Sequence, residues 1–215
     1  MCGIVGYIGF KEAFPILLKG LKRLEYRGYD SSGVVLLEED TLQLFKKKGK
    51  VKELEQFVEG KQLAGNIGIG HTRWATHGVP NDLNAHPHLS FDGNMAMIHN
   101  GIIENYAYLK QILVDNGFEF KSETDTEVLL NYIQFLKNKD LLSIEKALQQ
   151  ALQQVKGTYC ILLLSVDEPN VLFAARKGSP LVIGIGENEF FLASDATPLL
   201  AVSYTHLTLP TICSV

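Results

Sequence analysis

Short runs of apolar residues, bounded by glycine and polar turns, alternate along this chain with longer segments in which apolar residues recur every three or four positions. Runs rich in Val, Ile and Leu are typical of strands, whereas the longer periodicity indicates amphipathic helices. The runs predict strands at 4–8, 34–37, 67–70, 95–98, 159–166, 171–175, 181–185 and 190–193. The periodic segments predict helices at 13–26, 51–58, 106–116, 124–137 and 143–155.

The order of these elements is neither a strict strand-helix alternation nor an all-β series. Strands at both ends enclose a block of helices, which favours an α+β fold with two mainly antiparallel sheets covered by helices.

Thr124, followed three residues later by Glu127, forms a capping-box pattern that places Asp125 in the first turn of its helix. The basic run at 46–50 is interpreted as a solvated turn.

Composition indicates a single globular domain. The chain has 215 residues, of which 46% are apolar and 20% charged, enough to bury one substantial core. Its formal net charge of -4 does not indicate the basic surface that binds nucleic acid.

Because no apolar run approaches the ~18 residues of a membrane helix and no signal peptide is evident, we expect no membrane association and a cytoplasmic location. The three cysteines, an odd number without CxxC spacing, indicate neither a disulfide framework nor a cysteine zinc site.

Cys2 directly follows the initiator Met1. Removal of that one residue would expose a thiol and a free α-amine on the same N-terminal residue. Their ordinary pKa values, about 8.5 and about 7.7–8.0, are close enough for a proton to pass between them, so no separate histidine base is required. The alternative is that Cys2 is simply a small apolar residue at the start of a strand.

Four polar, glycine-containing clusters, at 26–31, 71–78, 99–101 and 122–127, lie at or near predicted element ends, where binding groups often gather. Asn100 and the backbone N–H of Gly101 could stabilise an oxyanion formed by attack of Cys2. Arg73 and Asp125 carry the charges that complement the carboxylate and ammonium of a free amino acid. Taken singly, each has an ordinary alternative: a turn, a surface ion pair or a helix start.

Six stretches carry a resemblance to a known family: 25–31, 71–78, 84–88, 99–105, 122–127 and 178–184. With them, the chain from residue 1 to about 200 resembles the N-terminal glutaminase domains of the glutamine-fructose-6-phosphate aminotransferases (isomerizing), which are class II glutamine amidotransferases. The opening Cys-Gly-Ile alone also fits amidophosphoribosyltransferases and asparagine synthetases. The 71–78 loop and the continuation at 102–105 favour the sugar-aminating family.

The resemblance implies an N-terminal-nucleophile hydrolase fold, a four-layer αββα sandwich. It also implies hydrolysis of L-glutamine through a thioester on Cys2, with an oxyanion held by Asn100 and Gly101. The implied glutamine-binding residues are Arg27, Gly28, Arg73, Trp74, Thr76, His77 and Asp125. Neither a cofactor nor a metal is expected for this half-reaction.

In the resembled family, ammonia is used to convert fructose 6-phosphate to glucosamine 6-phosphate in sugar isomerase domains of the same polypeptide, and the full-length form is expected to be a homodimer. We therefore predict a C-terminally truncated glutaminase domain at 1–201. The segment 202–215 lacks continuity with the preceding pattern and resembles a translated sequencing adapter, so it is interpreted as a non-native tail; a genuine disordered tail is the alternative. Loss of the closing strand predicts an unpaired sheet edge.

Two functions outside this enzyme class remain open from the sequence. A metal-binding module would use His71, His77, His86 and His88, although the chain lacks an HExxH motif, a carboxylate at ligand spacing and a cysteine pair. A non-catalytic interaction domain would retain Met1 and use Cys2 only for packing.

Overall fold

The computed structural model describes residues 2–74 and 78–199, together with the backbone of 206–208 and 212–214. Within these ranges the helices are α1 (Ala13–Leu24), α2 (Val51–Phe57), α3 (Tyr106–Asp115), α4 (Asp125–Asp140) and α5 (Ile144–Gln154), with a 3-10 turn at Glu25–Arg27. The strands are β1 (Gly3–Ile8), β2 (Ser31–Glu38), β3 (Thr41–Lys48), β4 (Ile67–Arg73), β5 (His88–Leu89), β6 (Met95–Ile103), β7 (Gly157–Ser165), β8 (Phe173–Lys177), β9 (Val182–Gly186), β10 (Glu189–Ala193), β11 (His206–Thr208) and β12 (Ile212–Ser214). No helix in these ranges is both long enough and apolar enough to cross a membrane.

The strands form two antiparallel sheets, in the orders β11-β9-β10-β1-β4-β2-β3 and β12-β8-β7-β6-β5. Successive side chains of a strand point to opposite faces, so each sheet contributes to two apolar layers. In β1, Ile4 packs between the sheets, whereas Val5 and Tyr7 pack in the cluster that contains α1 and α2. Helices α3, α4 and α5 cover the outer face of the other sheet. The predicted α+β architecture of two antiparallel sheets covered by helices is thereby confirmed.

Strand β6 is longer than predicted and carries part of the site within it. Met95 and Met97 face the α3–α5 layer, and Ala96 and Ile98 face the inter-sheet layer. The strand then continues through the polar residues at 99–101 to Ile103, paired with β7 along its whole length. The prediction that the strand ends at this polar cluster was wrong, because backbone pairing with β7 continues regardless of side-chain polarity.

Strand β3 was not predicted from the sequence. This strand pairs with β2 along its length and forms the outer edge of the larger sheet, so the start of the basic run at 46–50 is a strand end rather than a turn. Lysines are common on edge strands because they oppose pairing with another chain. Their polarity hid the alternation in which Leu42 and Leu44 pack towards the inter-sheet cluster and Phe45 towards the α1–α2 cluster.

The C-terminal segment takes part in the sheets. Backbone at 206–208 pairs with β9, and backbone at 212–214 pairs with β8. Strands β9 and β8 therefore do not form sheet edges, because β11 and β12 are the outer strands beside them. The domain boundary at 201 and the non-native origin of 202–215 stay predictions.

Candidate active site

The site lies where the start of β1 meets the end of β4 and the polar part of β6. Pairing of Gly3 with Thr72 brings residue 2 beside Arg73 and Trp74. From the facing sheet, Asn100 of β6 reaches the backbone of Cys2. The two layers of the sandwich thus bring together residues separated by about a hundred positions in sequence.

Cys2 is partly buried, and its sulfur contacts the backbone of Trp74. The Trp74 N–H donates to Sγ over 3.2 Å, and the thiol lies 3.5 Å from the Trp74 carbonyl oxygen. Burial raises the pKa of the Cys2 thiol, and this effect is partly offset by the Trp74 N–H and by the positive charge of Arg73. The sulfur is therefore a neutral thiol at neutral pH, so its attack on a carbonyl needs a base.

Two predicted site residues hold the main chain of Cys2. Asn100 Nδ2 donates to the Cys2 carbonyl oxygen over 3.0 Å, and Arg27 Nε donates to the same oxygen over 3.3 Å. Arg27 is in turn fixed by the carboxylate of Asp195, 3.2 Å from its NH1. Asp195 is a residue that the sequence analysis missed, because nothing local connects it with Arg27.

Cys2 lies between two cavities. One is small and contains Arg73 and Asp125 in its wall. The other is larger, is lined by Arg27 and Asn100 and has a more apolar rim that includes Ile102 and Pro180. Both are bordered by Cys2, Trp74 and Gly101. A molecule held in the first cavity would therefore meet the thiol at its boundary with the second.

The first cavity presents opposite charges. Arg73 is buried and donates from one guanidinium nitrogen to the Gly78 carbonyl oxygen over 3.3 Å. Burial lowers the pKa of Arg73, while nearby Cys2, Asp30 and Asp125 act in the opposite direction. Asp125 accepts the Ile103 N–H over 2.8 Å. A cation and an anion in one small cavity match the two ends of a free α-amino acid.

The N-terminus of α4 places Asp125 in this wall. Thr124 Oγ1 accepts the Glu127 N–H, as the capping pattern predicts. The Glu127 carboxylate accepts the N–H groups of Lys121 and Ser122, which lie before the cap residue. The Thr124 cap is therefore confirmed. The second bond of a capping box, in which the glutamate carboxylate accepts the N–H of the cap residue, is replaced here by bonds that hold the preceding loop.

Two glycines in the site allow close backbone contacts. A Cβ on Gly28 would lie 2.7 Å from the carbonyl carbon of Arg73, within the peptide that supplies the Trp74 N–H. Gly101 has φ +137°, and a Cβ there would lie 2.0 Å from the Thr158 carbonyl oxygen. Any larger residue would have to displace the chain at either position.

Of the remaining predicted site residues, Trp74 is described in the structure and the others are not. Trp74 is 45% exposed and packs edge-on against Tyr29, with ring centroids 5.3 Å apart. Thr76 and His77 lie outside the described residues. Cys2, Arg27, Gly28, Arg73, Trp74, Asn100, Gly101 and Asp125 all lie in or beside the two cavities.

Four buried histidines of the described residues lie at the site, and two of them, His86 and His99, line the first cavity. His71 Nε2 is 3.0 Å from Asn100 Oδ1, and His88 Nε2 is 3.0 Å from Thr124 Oγ1. His86 and His99 share the hydroxyl of Thr126 at 2.8 and 3.1 Å. Burial lowers the pKa of all four imidazoles, that of His71 to about 3, so they are neutral at neutral pH. This network was not predicted from the sequence, because it joins residues from separate elements.

The metal-binding alternative gains no support here. Among residues 2–74 and 78–199, no group of three or more His, Cys, Asp or Glu side chains is arranged to hold a metal ion. The rings of His71, His86 and His88 pack on one another at 4.4 and 4.7 Å, and their Nε2 atoms pair with an amide or a hydroxyl.

The chain is similar in sequence to known proteins. The pattern of the glutamine amidotransferase domain family matches residues 71–201. A glutamine-fructose-6-phosphate aminotransferase (isomerizing) of Bacteroides thetaiotaomicron is 58% identical over 206 residues, which are 95% of this chain and 33% of that protein. The corresponding protein of Chlorobaculum tepidum is 55% identical over 204 residues, 93% of this chain and 33% of that protein. The chain thus spans about a third of the length of these relatives.

Among solved structures, the glutamine phosphoribosylpyrophosphate amidotransferase of B. subtilis, complexed with ADP and GMP, matches with a TM-score of 0.84 and 27% identity. The match covers 100% of this chain and 49% of that chain. It confirms the N-terminal-nucleophile hydrolase fold class that the resemblance implied. From its sequence and its structure alike, the chain belongs to the glutamine amidotransferase domain family.

Proposed function

We propose that this chain hydrolyses L-glutamine to glutamate and ammonia, with Cys2 as the nucleophile after removal of Met1. One observation carries the proposal: Cys2 borders the cavity that contains Arg73 and Asp125, and Asn100, whose amide donates to the Cys2 carbonyl oxygen, lines the other cavity at Cys2. This arrangement supports the binding of an amino acid by its charged end, with its side chain directed at the thiol.

In the first step, the free α-amine of Cys2 takes the thiol proton, directly or through a water molecule. The sulfur forms a bond to the side-chain amide carbon of glutamine, and the carbonyl electron pair moves to oxygen. Asn100 Nδ2 and the Gly101 N–H would donate to that oxyanion, and such donors typically contribute about 10²–10³ in rate each. The raised pKa of the Cys2 thiol supports the need for this base.

The intermediate then collapses. The oxyanion re-forms the carbonyl, the carbon–nitrogen bond breaks, and the ammonium of Cys2 supplies the proton with which ammonia leaves. Water, deprotonated by the same amine, attacks the resulting thioester through a second oxyanion, and the thiol is regenerated with release of glutamate. One base and one pair of donors therefore serve both steps.

The substrate would be oriented by charge. The Arg73 guanidinium would bind the α-carboxylate together with Thr76 and His77, and Asp125 with the Gly101 carbonyl would bind the α-ammonium. Arg27 and Gly28 would support the nucleophile rather than the substrate, since Arg27 holds the Cys2 carbonyl and Gly28 packs on the Arg73–Trp74 peptide. Trp74 would gate the passage between the two cavities.

The ammonia would be used in a longer polypeptide. The relatives named glutamine-fructose-6-phosphate aminotransferase are 58% and 55% identical to this chain, against 27% for the phosphoribosylpyrophosphate amidotransferase. This difference favours amination of fructose 6-phosphate to glucosamine 6-phosphate, carried out by companion sugar isomerase domains. We include a cytoplasmic location and a full-length homodimer in the proposal.

The test is ammonia release from glutamine and from asparagine, measured with Cys2→Ala and Cys160→Ala variants. Cys160 is the matched control, because it is fully buried and burial raises the pKa of its thiol to about 12. We expect hydrolysis of glutamine but not asparagine, loss of turnover in Cys2→Ala, and retention in folded Cys160→Ala. Full activity of Cys2→Ala, or equal turnover of both amino acids, would overturn the proposal.

A further inference from the structure

The side-chain amide of Asn100 can act as an oxyanion donor only in one of its two orientations. An asparagine amide has a donating NH₂ end and an accepting oxygen end of nearly equal size. In the observed orientation Nδ2 donates to the Cys2 carbonyl over 3.0 Å. Rotation by 180° would turn Oδ1 towards that carbonyl oxygen and towards the oxyanion, so both contacts would become repulsive.

His71 contacts the other end of this amide. Its Nε2 lies 3.0 Å from Asn100 Oδ1, and both side chains are at least nine-tenths buried. His71 Nδ1 forms no hydrogen bond of good geometry within the described part of the chain, and the His99 backbone is only a weak partner of the ring. A neutral imidazole carries one ring proton, and placing it on Nε2 makes that nitrogen the donor that Oδ1 requires.

The imidazole is itself held in place. His71 lies in β4, where its backbone is paired with Ile4 of β1 and Gly33 of β2. Its ring packs on that of His86 with centroids 4.4 Å apart. It does not line either cavity at Cys2, so it would touch neither glutamine nor the thiol.

We propose that His71, as the Nε2–H tautomer, is a positioning residue that fixes the amide of Asn100 with its NH₂ group directed at the oxyanion. The role rests on the proposed glutaminase function, since it matters only where an oxyanion forms. A neutral donor at this position stabilises one amide orientation without adding a charge beside Arg73. The side chain therefore affects the transition state through Asn100 alone.

The test compares His71→Leu, which has no donor, with His71→Gln, whose amide NH₂ can reach a position similar to Nε2. We expect His71→Leu to lower kcat about 10–100-fold, a large part of what loss of an oxyanion donor costs, with KM for glutamine changed less than about threefold. His71→Gln should recover most of that loss. An unchanged kcat in folded His71→Leu, a change confined to KM, or a Gln variant no better than Leu would overturn the role.

A second measurement does not depend on turnover or on the stability of the variants. Nitrogen-15 NMR of the wild-type chain, with His71 assigned by comparison with His71→Gln, reports which ring nitrogen carries the proton. We expect a proton on Nε2 and a bare Nδ1 from pH 6 to 8; a proton on Nδ1 would overturn the inference. If the wild-type chain failed to hydrolyse glutamine, the proposed function would fall, and the NMR result would still decide the tautomer.

Discussion

In the proposed function, single charges in a small cavity would select the substrate. Arg73 and Asp125 lie in the wall of one cavity with Cys2 at its edge. Asp125 would have two tasks, since it also accepts the Ile103 N–H and so joins α4 to the end of β6. Its charge and its hydrogen bond can be separated by experiment, because asparagine retains an acceptor oxygen without the charge.

Asp125→Asn should raise KM for glutamine about 10–150-fold, with a smaller effect on kcat. The expected loss corresponds to one hydrogen bond to a charged group, about 1.5–3 kcal/mol. Steady-state glutaminase kinetics measure it. Asp115→Asn is the control, because Asp115 is exposed on α3 and bonds only to neighbouring Gln111 among the contacts described. If both variants bound glutamine like the wild type, Asp125 would not bind the substrate.

The residues of the candidate site were easier to predict from the sequence than the side chains that contact them. The place of Cys2 directly after Met1 singled it out, and the polar clusters pointed to Arg73, Asn100 and Asp125, because donors and opposite charges are unusual between apolar strands. The contact between His71 and Asn100 was not predictable, since it joins strands of different sheets and depends on how those sheets face each other.

At the level of elements, the start of α4 determines where Asp125 lies. Thr124 caps the helix and also pairs with His88 and Ser122. The cap was predictable, because its pattern lies within four residues of sequence. Strand β3 was not, because an edge strand needs only part of the apolar alternation and owes its pairing to β2.

Thr124→Ala should lower the free energy of unfolding by about 0.5–2 kcal/mol through loss of the cap, and should also raise KM for glutamine. The reason for the second effect is that Asp125 is the next residue. Urea unfolding and glutaminase kinetics check the two effects. Ser143→Ala is the matched control, since Ser143 caps α5, away from the cavities. A KM effect of equal size in both variants would contradict a specific role for the α4 cap.

At the scale of the whole molecule, the sandwich buries four histidines of the described residues in neutral form. Their pKa values are lowered in the folded chain, so below the ordinary value of about 6.5 the unfolded chain binds more protons. Stability must therefore fall as pH decreases. The loss is up to about 1.4 kcal/mol per pH unit for each histidine, and for His71 it continues to pH about 3.

We expect urea midpoints to be similar at pH 8 and 7 and to decline steeply from pH 6.5 to 5. His71→Gln removes one of the four titrating groups and should make the decline less steep by up to a quarter. A midpoint that is constant from pH 7 to 5 would show that the histidines titrate alike in the folded and unfolded chains.

The arrangement of two sheets covered by helices was predictable from the order of elements along the chain, but the order of the strands within each sheet was not. Strand β1 lies between β4 and β10, its two partners being separated by more than a hundred residues. Local patterns carry no information on such pairings, which follow from how the apolar faces of the whole chain pack. The position of the site at the meeting of β1, β4 and β6 is a consequence of that topology.

In the proposed function, Cys2, freed of Met1, is the nucleophile for glutamine. Incubation with an electrophilic glutamine analogue, followed by intact-mass and peptide mass spectrometry, is the decisive measurement. We expect one adduct per chain, on Cys2 of protein that lacks Met1, and protection by excess glutamine. Retention of Met1 in every molecule, or an adduct on Cys160 in place of Cys2, would contradict it.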